Sequence, residues 1–149
     1  MCSNILINRT ASALRAPAVG YRSLGQPMTD LIVHARMRNR LIEVLGWIVD
    51  ARTDVPACGF DDLVNSWNDW APIDVDDLPH QVFTSTEIAG IRSVGEAIEG
   101  FCAATPSSVP NTLEIVRLPE WIRVTAIAGQ TLNEMIKRGN SFEGEESNV

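Results

Sequence analysis

The sequence has few of the features that define several large classes of protein. Its three cysteines, Cys2, Cys58 and Cys102, are widely spaced and form no C-x-x-C motif, which argues against a disulfide framework or a structural zinc site. The longest uncharged stretch, residues 100–113, contains two prolines and is shorter than the roughly 20 apolar residues that cross a bilayer. We therefore expect no contact with a membrane and a location in the reducing cytoplasm.

Motifs of catalysis and cofactor binding are also missing. The chain contains no G-x-G-x-x-G, no P-loop, no H-E-x-x-H and no G-x-S-x-G, and its only histidines are His34 and His80. Cys102 falls on the apolar face of a predicted helix without a basic neighbour at helical spacing, whereas a reactive thiolate needs electropositive surroundings. We expect no catalytic residue, no bound metal and no cofactor, so the sequence favours a non-enzymatic function.

Basic residues are scarce and unevenly placed. Twelve Lys and Arg face nineteen Asp and Glu, for a net charge of −7, and nucleic acid is not an expected partner because phosphate binding needs a basic footprint. Residues 1–27 carry three arginines and no acid, whereas residues 50–87 carry nine acids and one base. Such a concentration of negative charge favours attraction to a basic partner.

The length of 149 residues fits one domain. Residues 1–27 show no apolar period, so we interpret them as a disordered basic leader or tail. A targeting segment and a translated leader before Met28 are the alternatives. Residues 140–149 are acidic and are expected to be disordered, which leaves a single helical domain over residues 28–139.

Apolar residues recur with helical period over most of that domain, and no segment alternates with period two for long enough to predict a strand. The predicted fold is all-α, a small bundle of three long helices and one short helix. The long helices are predicted at about residues 30–50, 84–104 and 119–138, and the short helix at about residues 60–70.

Several signals place the helix ends. Thr84 and Glu87 have the spacing of a capping box, while Pro119 and Gly139 suit the first turn and the C′ position of the last helix. Thr29 or Asp30 is the expected N-cap of the first helix.

Two residues interrupt the apolar face of the first helix, His34 and Arg38. We interpret Arg38 as packing its aliphatic stem over apolar neighbours and pairing with a carboxylate. The alternative is an acid/base or anion site formed with His34. In the third predicted helix, Gly95 lies on the apolar arc, where it would allow another helix to approach closely.

The candidate functional residues lie in and after the short helix. Trp67 and Trp70 are three residues apart, which favours one apolar stripe packed in the core, but tryptophan is also enriched at binding hot spots. Several aspartates follow them. The predicted partner-binding residues are Trp67, Asp69, Trp70, Asp74, Asp76 and Asp77.

We therefore predict a small acidic, non-catalytic domain that engages a basic protein partner through residues 50–87, a profile typical of inhibitors, immunity proteins and antitoxins. One alternative is a metal- or carboxylate-dependent hydrolase that uses the acidic loop of residues 74–80, with Asp74, Asp76, Asp77 and His80. The other is a structural bundle that homodimerises through Val33 and Trp47.

Overall fold

The computed structural model describes residues 26–107 and 109–140, and over these residues the fold is an all-α bundle, as predicted. A short 3-10 turn, Val75–Asp77, precedes the third helix. The helices are α1 (Gln26–Asp50), α2 (Phe60–Trp70), α3 (Ser85–Ala104), α4 (Leu113–Val116) and α5 (Pro119–Ile136). The disorder predicted for residues 1–27 and 140–149 concerns segments that lie almost wholly outside the described residues.

Helix α1 begins at Gln26, four residues before its predicted start. A proline in the first turn is compatible with this start, because its missing N–H would have no partner inside the helix. The N-cap assignment to Thr29 or Asp30 is therefore wrong, since both residues lie within the helix. His34 Nδ1 lies 2.7 Å from the carbonyl oxygen of Asp30, so its ring is bonded to its own helix.

Helix α5 is the centre of the bundle, because it packs against both α1 and α3, while α2 packs against α1. Trp121 anchors one end of this arrangement from the first turn of α5. Its Nε1 donates to the carbonyl of Ala51, just after α1, at 3.0 Å. Its ring contacts Phe60 of α2 and Phe101 of α3, with centroids 5.1 and 4.9 Å away. One buried indole thus joins the four longest helices.

The other end of the bundle contains an ionic cluster of two buried residues, Arg38 and Glu87, and the partly exposed Arg138. Glu87 and Arg38 are each only 1% exposed. Arg38 donates to the Glu87 carboxylate from Nη2 at 2.8 Å and from Nε at 3.3 Å. Arg138 donates to the same carboxylate from Nη2 at 2.6 Å and from Nε at 3.0 Å. The prediction that Arg38 pairs with a carboxylate is confirmed.

Backbone carbonyls accept further hydrogen bonds from the two arginines. Arg38 donates to the carbonyls of Met135 and Gly139, at 2.8 and 2.7 Å, and Arg138 donates to that of Val82 at 2.8 Å. Helix α5 ends at Ile136 with Lys137 as its C-cap, two residues before the predicted end, so Gly139 lies one residue beyond the predicted C′ position. Gly139 nevertheless has the left-handed backbone expected of a glycine after a helix, with a φ of +67°. Arg38 therefore binds carbonyls at and just beyond the C-terminal end of α5, where the helix itself supplies few backbone donors.

Glu87 also closes the predicted capping box of α3, which is confirmed. Its backbone N–H donates to Thr84 Oγ1 at 3.1 Å, and its Oε2 accepts from the Thr84 N–H at 3.1 Å. Burial raises the pKa of Glu87, but hydrogen bonds from Arg38, Arg138 and the Thr84 backbone outweigh burial and hold the pKa below its ordinary value of 4.5. The carboxylate is therefore ionised at neutral pH.

We expect Glu87→Gln to destabilise the protein by about 3 kcal/mol at pH 7, because it leaves a buried guanidinium without its counter-charge. The folded-state pKa of Glu87 is lowered, so its ionic contribution is complete above about pH 4.5 and is lost as the pH falls through the folded-state pKa. The difference in the free energy of unfolding between wild type and variant, measured by urea unfolding, should therefore become smaller at acidic pH. Glu43→Gln is the control, since Glu43 pairs with Arg40 on the surface and its loss should cost under about 1 kcal/mol. Equal losses of unfolding free energy in Glu87→Gln and Glu43→Gln would contradict the stabilising role of the ionic cluster.

Helices α3 and α5 make a close contact at Gly90, a position that the sequence did not single out. A Cβ at Gly90 would lie 2.7 Å from Thr131 Oγ1, and that hydroxyl is held by its bond to the Ile127 carbonyl at 3.0 Å. Gly95 instead lines a surface groove. The apolar arc of α3 did not reveal this contact because the facing residue, Thr131, is polar although buried.

Alanine substitutions at two glycines of α3 should separate helix propensity from packing. Both gain up to about 1 kcal/mol of propensity, but Gly90→Ala meets Thr131, whereas the Cβ of Gly100→Ala meets no atom of the described residues within 4 Å. We expect Gly90→Ala to lower the thermal midpoint and Gly100→Ala to leave it equal or raise it. A higher midpoint for both variants would show that the α3–α5 contact tolerates a methyl group.

Candidate binding surface

Helix α2 leads to the candidate surface and is fixed at its start by a neighbouring segment. Gly59, the N-cap residue, has a φ of +88° and supplies no side chain. Asn111 fills that role, because its Oδ1 accepts from the Phe60 N–H at 3.1 Å. A Cβ on Gly59 would lie 2.9 Å from the same oxygen. Glycine is therefore required both for the backbone angle and for the close approach of Asn111.

The two tryptophans of α2 lie in different environments. Trp67 is 2% exposed and belongs to the core, together with the other buried residues of the helix. Trp70 ends the helix and is 41% exposed. The ring of Trp67 therefore has almost no surface to offer a partner, whereas that of Trp70 is accessible, and the partner-binding role of the predicted residues stays a prediction.

The loop after α2 is exposed and ordered by local hydrogen bonds. Asp74 Oδ1 accepts from the Asp76 N–H at 2.9 Å and begins the 3-10 turn. Leu78, directly after the turn, is buried and anchors the loop to the core. Ile73 lies between the end of α2 and the 3-10 turn, and its side chain is 67% exposed. Sequence reasoning missed Ile73, although an isolated apolar residue between Pro72 and Asp74 is a recognisable signal.

The charges of this loop are only partly neutralised. Asp76 forms an ion pair with Arg92 of α3, a partner that the sequence did not reveal. Asp69 and Asp77 are exposed, and neither side chain makes an ion pair or hydrogen bond with another described residue. We define the acidic surface as the exposed residues of this region, Asp69, Trp70, Ile73, Asp74, Asp76 and Asp77.

A groove of about 430 Å³ separates the loop from α3. Ile73 and two aspartates of the loop line one side, and Arg92, Gly95 and Glu96 of α3 line the other. Trp67 contributes its small accessible edge to the groove. The acidic surface is therefore concave beside Ile73, and it combines apolar area with carboxylates.

The residues of the predicted hydrolase site, Asp74, Asp76, Asp77 and His80, are all exposed. Among residues 26–107 and 109–140, no three His, Cys, Asp or Glu side chains come close enough together to hold a metal ion. Asp74 caps the 3-10 turn and Asp76 binds Arg92, while His80 is exposed. No observation on these residues favours the hydrolase hypothesis.

Val33 and Trp47, the residues of the homodimer hypothesis, are both about half exposed on α1. Exposed apolar side chains also occur on α4 and α5, at Leu113, Ile122 and Ile136. The α1 face therefore does not stand out from the rest of the described surface, and its role in dimerisation stays a prediction.

No helix within the described ranges combines the length and the apolar character needed to cross a membrane. No protein-family model, curated protein or solved structure matches this chain significantly. We therefore consider function from the charges and exposed apolar side chains of the acidic surface.

The contrast between the two tryptophans can be measured in the isolated protein. We expect Trp67→Ala to cost about 3–5 kcal/mol, the usual loss for a buried aromatic side chain, and Trp70→Ala to cost about 1 kcal/mol or less, because much of its ring already contacts water. Urea unfolding of both variants gives the comparison. A loss at Trp70 as large as that at Trp67 would show that Trp70 is a core residue.

Proposed function

We propose that this protein is a non-catalytic binding domain that engages a basic protein partner through the acidic surface. The observation that carries the proposal is the composition of residues 69–77, where four exposed aspartates lie close in sequence to two exposed apolar side chains, Trp70 and Ile73. The three widely spaced cysteines favour a reducing, cytoplasmic setting for this interaction.

Both components of this surface cost free energy in the isolated protein. Neighbouring carboxylates repel one another, and exposed apolar area is left in contact with water. A bound partner with basic and apolar groups would remove both costs. Central aromatic and aliphatic side chains would then supply most of the binding energy, inside a rim that excludes water.

The charges and the apolar groups should act on different steps of binding. Rim charges mainly accelerate the encounter and are screened by salt, whereas buried anchors mainly slow dissociation. Small acidic inhibitors, immunity proteins and antitoxins use such surfaces against basic targets, and we place this protein with that group as the most specific form of the proposal.

The charge contribution is tested with Asp69→Asn/Asp77→Asn, because these two carboxylates have no structural partner among the described residues. Once a partner has been captured and purified, we expect the variant to associate several-fold more slowly at low salt and at nearly the wild-type rate at high salt. Surface plasmon resonance measures both rates. The matched control, Glu43→Gln/Glu114→Gln, removes two exposed charges outside residues 50–87 and should associate at the wild-type rate. Equal rates for all three proteins would refute the proposed role of the charges.

The apolar contribution is tested with Ile73→Ser, which removes an exposed anchor without touching the core. We expect faster dissociation from the same partner and an unchanged unfolding midpoint. Ile122→Ser is the control, since Ile122 is also more than half exposed but lies on α5. If both variants dissociate at the wild-type rate, Ile73 is not part of the interface.

A further inference from the structure

The ion pair between Arg92 and Asp76 spans the groove beside Ile73. Arg92 projects from α3, and its Nη2 contacts Asp76 Oδ1 of the 3-10 turn. The side chains are 44% and 80% exposed, respectively. Both residues line the groove, as do Asp74 and Glu96. The groove therefore contains three carboxylates and one guanidinium, and it keeps a net negative charge after the internal pair has formed.

An ion pair with this exposure is easily opened, because water and salt screen the attraction between its members. A basic side chain of a binding partner could then contact the Asp76 carboxylate. Asp74 and Glu96 line the same groove, as does the exposed side chain of Ile73. The chemistry that fits is a polypeptide segment in which a lysine or arginine stands next to an aliphatic side chain.

We infer that Arg92 occupies, from within the chain, the place that a basic side chain of the partner takes against Asp76. This inference rests on the proposed function and names the partner's contacting group. Binding exchanges the internal guanidinium for an external one, while an aliphatic side chain beside it packs on Ile73. Arg92 is then a competitor for the site as well as a contact that ties the loop to α3.

Competition predicts a gain of affinity on removal of Arg92. Arg92→Gln deletes the competing cation and releases Asp76 for an incoming one. Because an exposed ion pair contributes at most about 1 kcal/mol, affinity for a cationic and apolar segment should rise by about two- to five-fold. If the pair instead builds the binding surface, the same substitution weakens binding, so the two roles predict opposite signs.

The experiment uses fluorescence anisotropy with the full chain and a fluorescein-labelled peptide in which arginine and leucine alternate. Arg123→Gln is the matched control, since Arg123 is an exposed residue of α5 and its substitution changes the net charge equally. Asp76→Asn and the double variant with Arg92→Gln complete a cycle. We expect tighter binding by Arg92→Gln, a smaller effect of Arg123→Gln, and no gain from Arg92→Gln when Asp76 is already neutral.

A gain that is equal in Arg123→Gln, or that persists with Asp76→Asn, would overturn the inference, because it would reflect net charge alone. Unchanged or weaker binding by Arg92→Gln, including no binding by either wild type or variant, would also overturn it. If a peptide of alternating arginine and glycine binds with the same affinity as the arginine–leucine peptide, the inferred contact between an aliphatic side chain and Ile73 is refuted. These outcomes are separate from the kinetics of Asp69→Asn/Asp77→Asn with the captured partner, which test the proposed function. An unfolding curve for Arg92→Gln controls for loss of the loop.

Discussion

One buried carboxylate determines how the helices of this protein meet. Glu87 is removed from water, and such a charge is tolerated only where opposite charge and hydrogen bonds replace the lost hydration. Arg38 comes from α1 and Arg138 follows α5, so the required donors belong to two other parts of the chain. Any arrangement that separates these elements leaves a charge buried without its partner. The apolar faces provide the general drive to pack, whereas the ionic cluster selects one alignment of the three long helices.

The ionic cluster also fixes the segment that follows the acidic surface in the chain. Arg138 binds the carbonyl of Val82, and Val82 and Leu78 are buried in the segment that joins the 3-10 turn to α3. On the other side, Trp67 fixes α2 in the core. The exposed loop is thus held at both ends, although its aspartates and Ile73 face water. A surface held in this way loses little conformational entropy when a partner binds.

Local features of the structure follow directly from the sequence, whereas long-range ones do not. The capping box at Thr84 and the left-handed Gly139 depend on a few adjacent residues, and both were predictable. The pairing of Arg38 with a carboxylate was also predictable, because a charged residue on an apolar face needs a partner. That the partner is Glu87, 49 positions away, was not, because its local pattern indicated only a helix cap. Helical spacing likewise places Trp67 and Trp70 on one stripe, and only the end of α2 at Trp70 separates their environments.

The order of the helices along the chain has a consequence for biosynthesis. The central helix, α5, is made after α1 and α3, so the parts of these two helices that pack on α5 stay uncovered while the chain emerges from the ribosome. Arg138 is also synthesised after Glu87 and Arg38, and the ionic cluster closes last. Until α5 has been made, the nascent chain depends on transient contacts or on chaperones to shield this apolar surface.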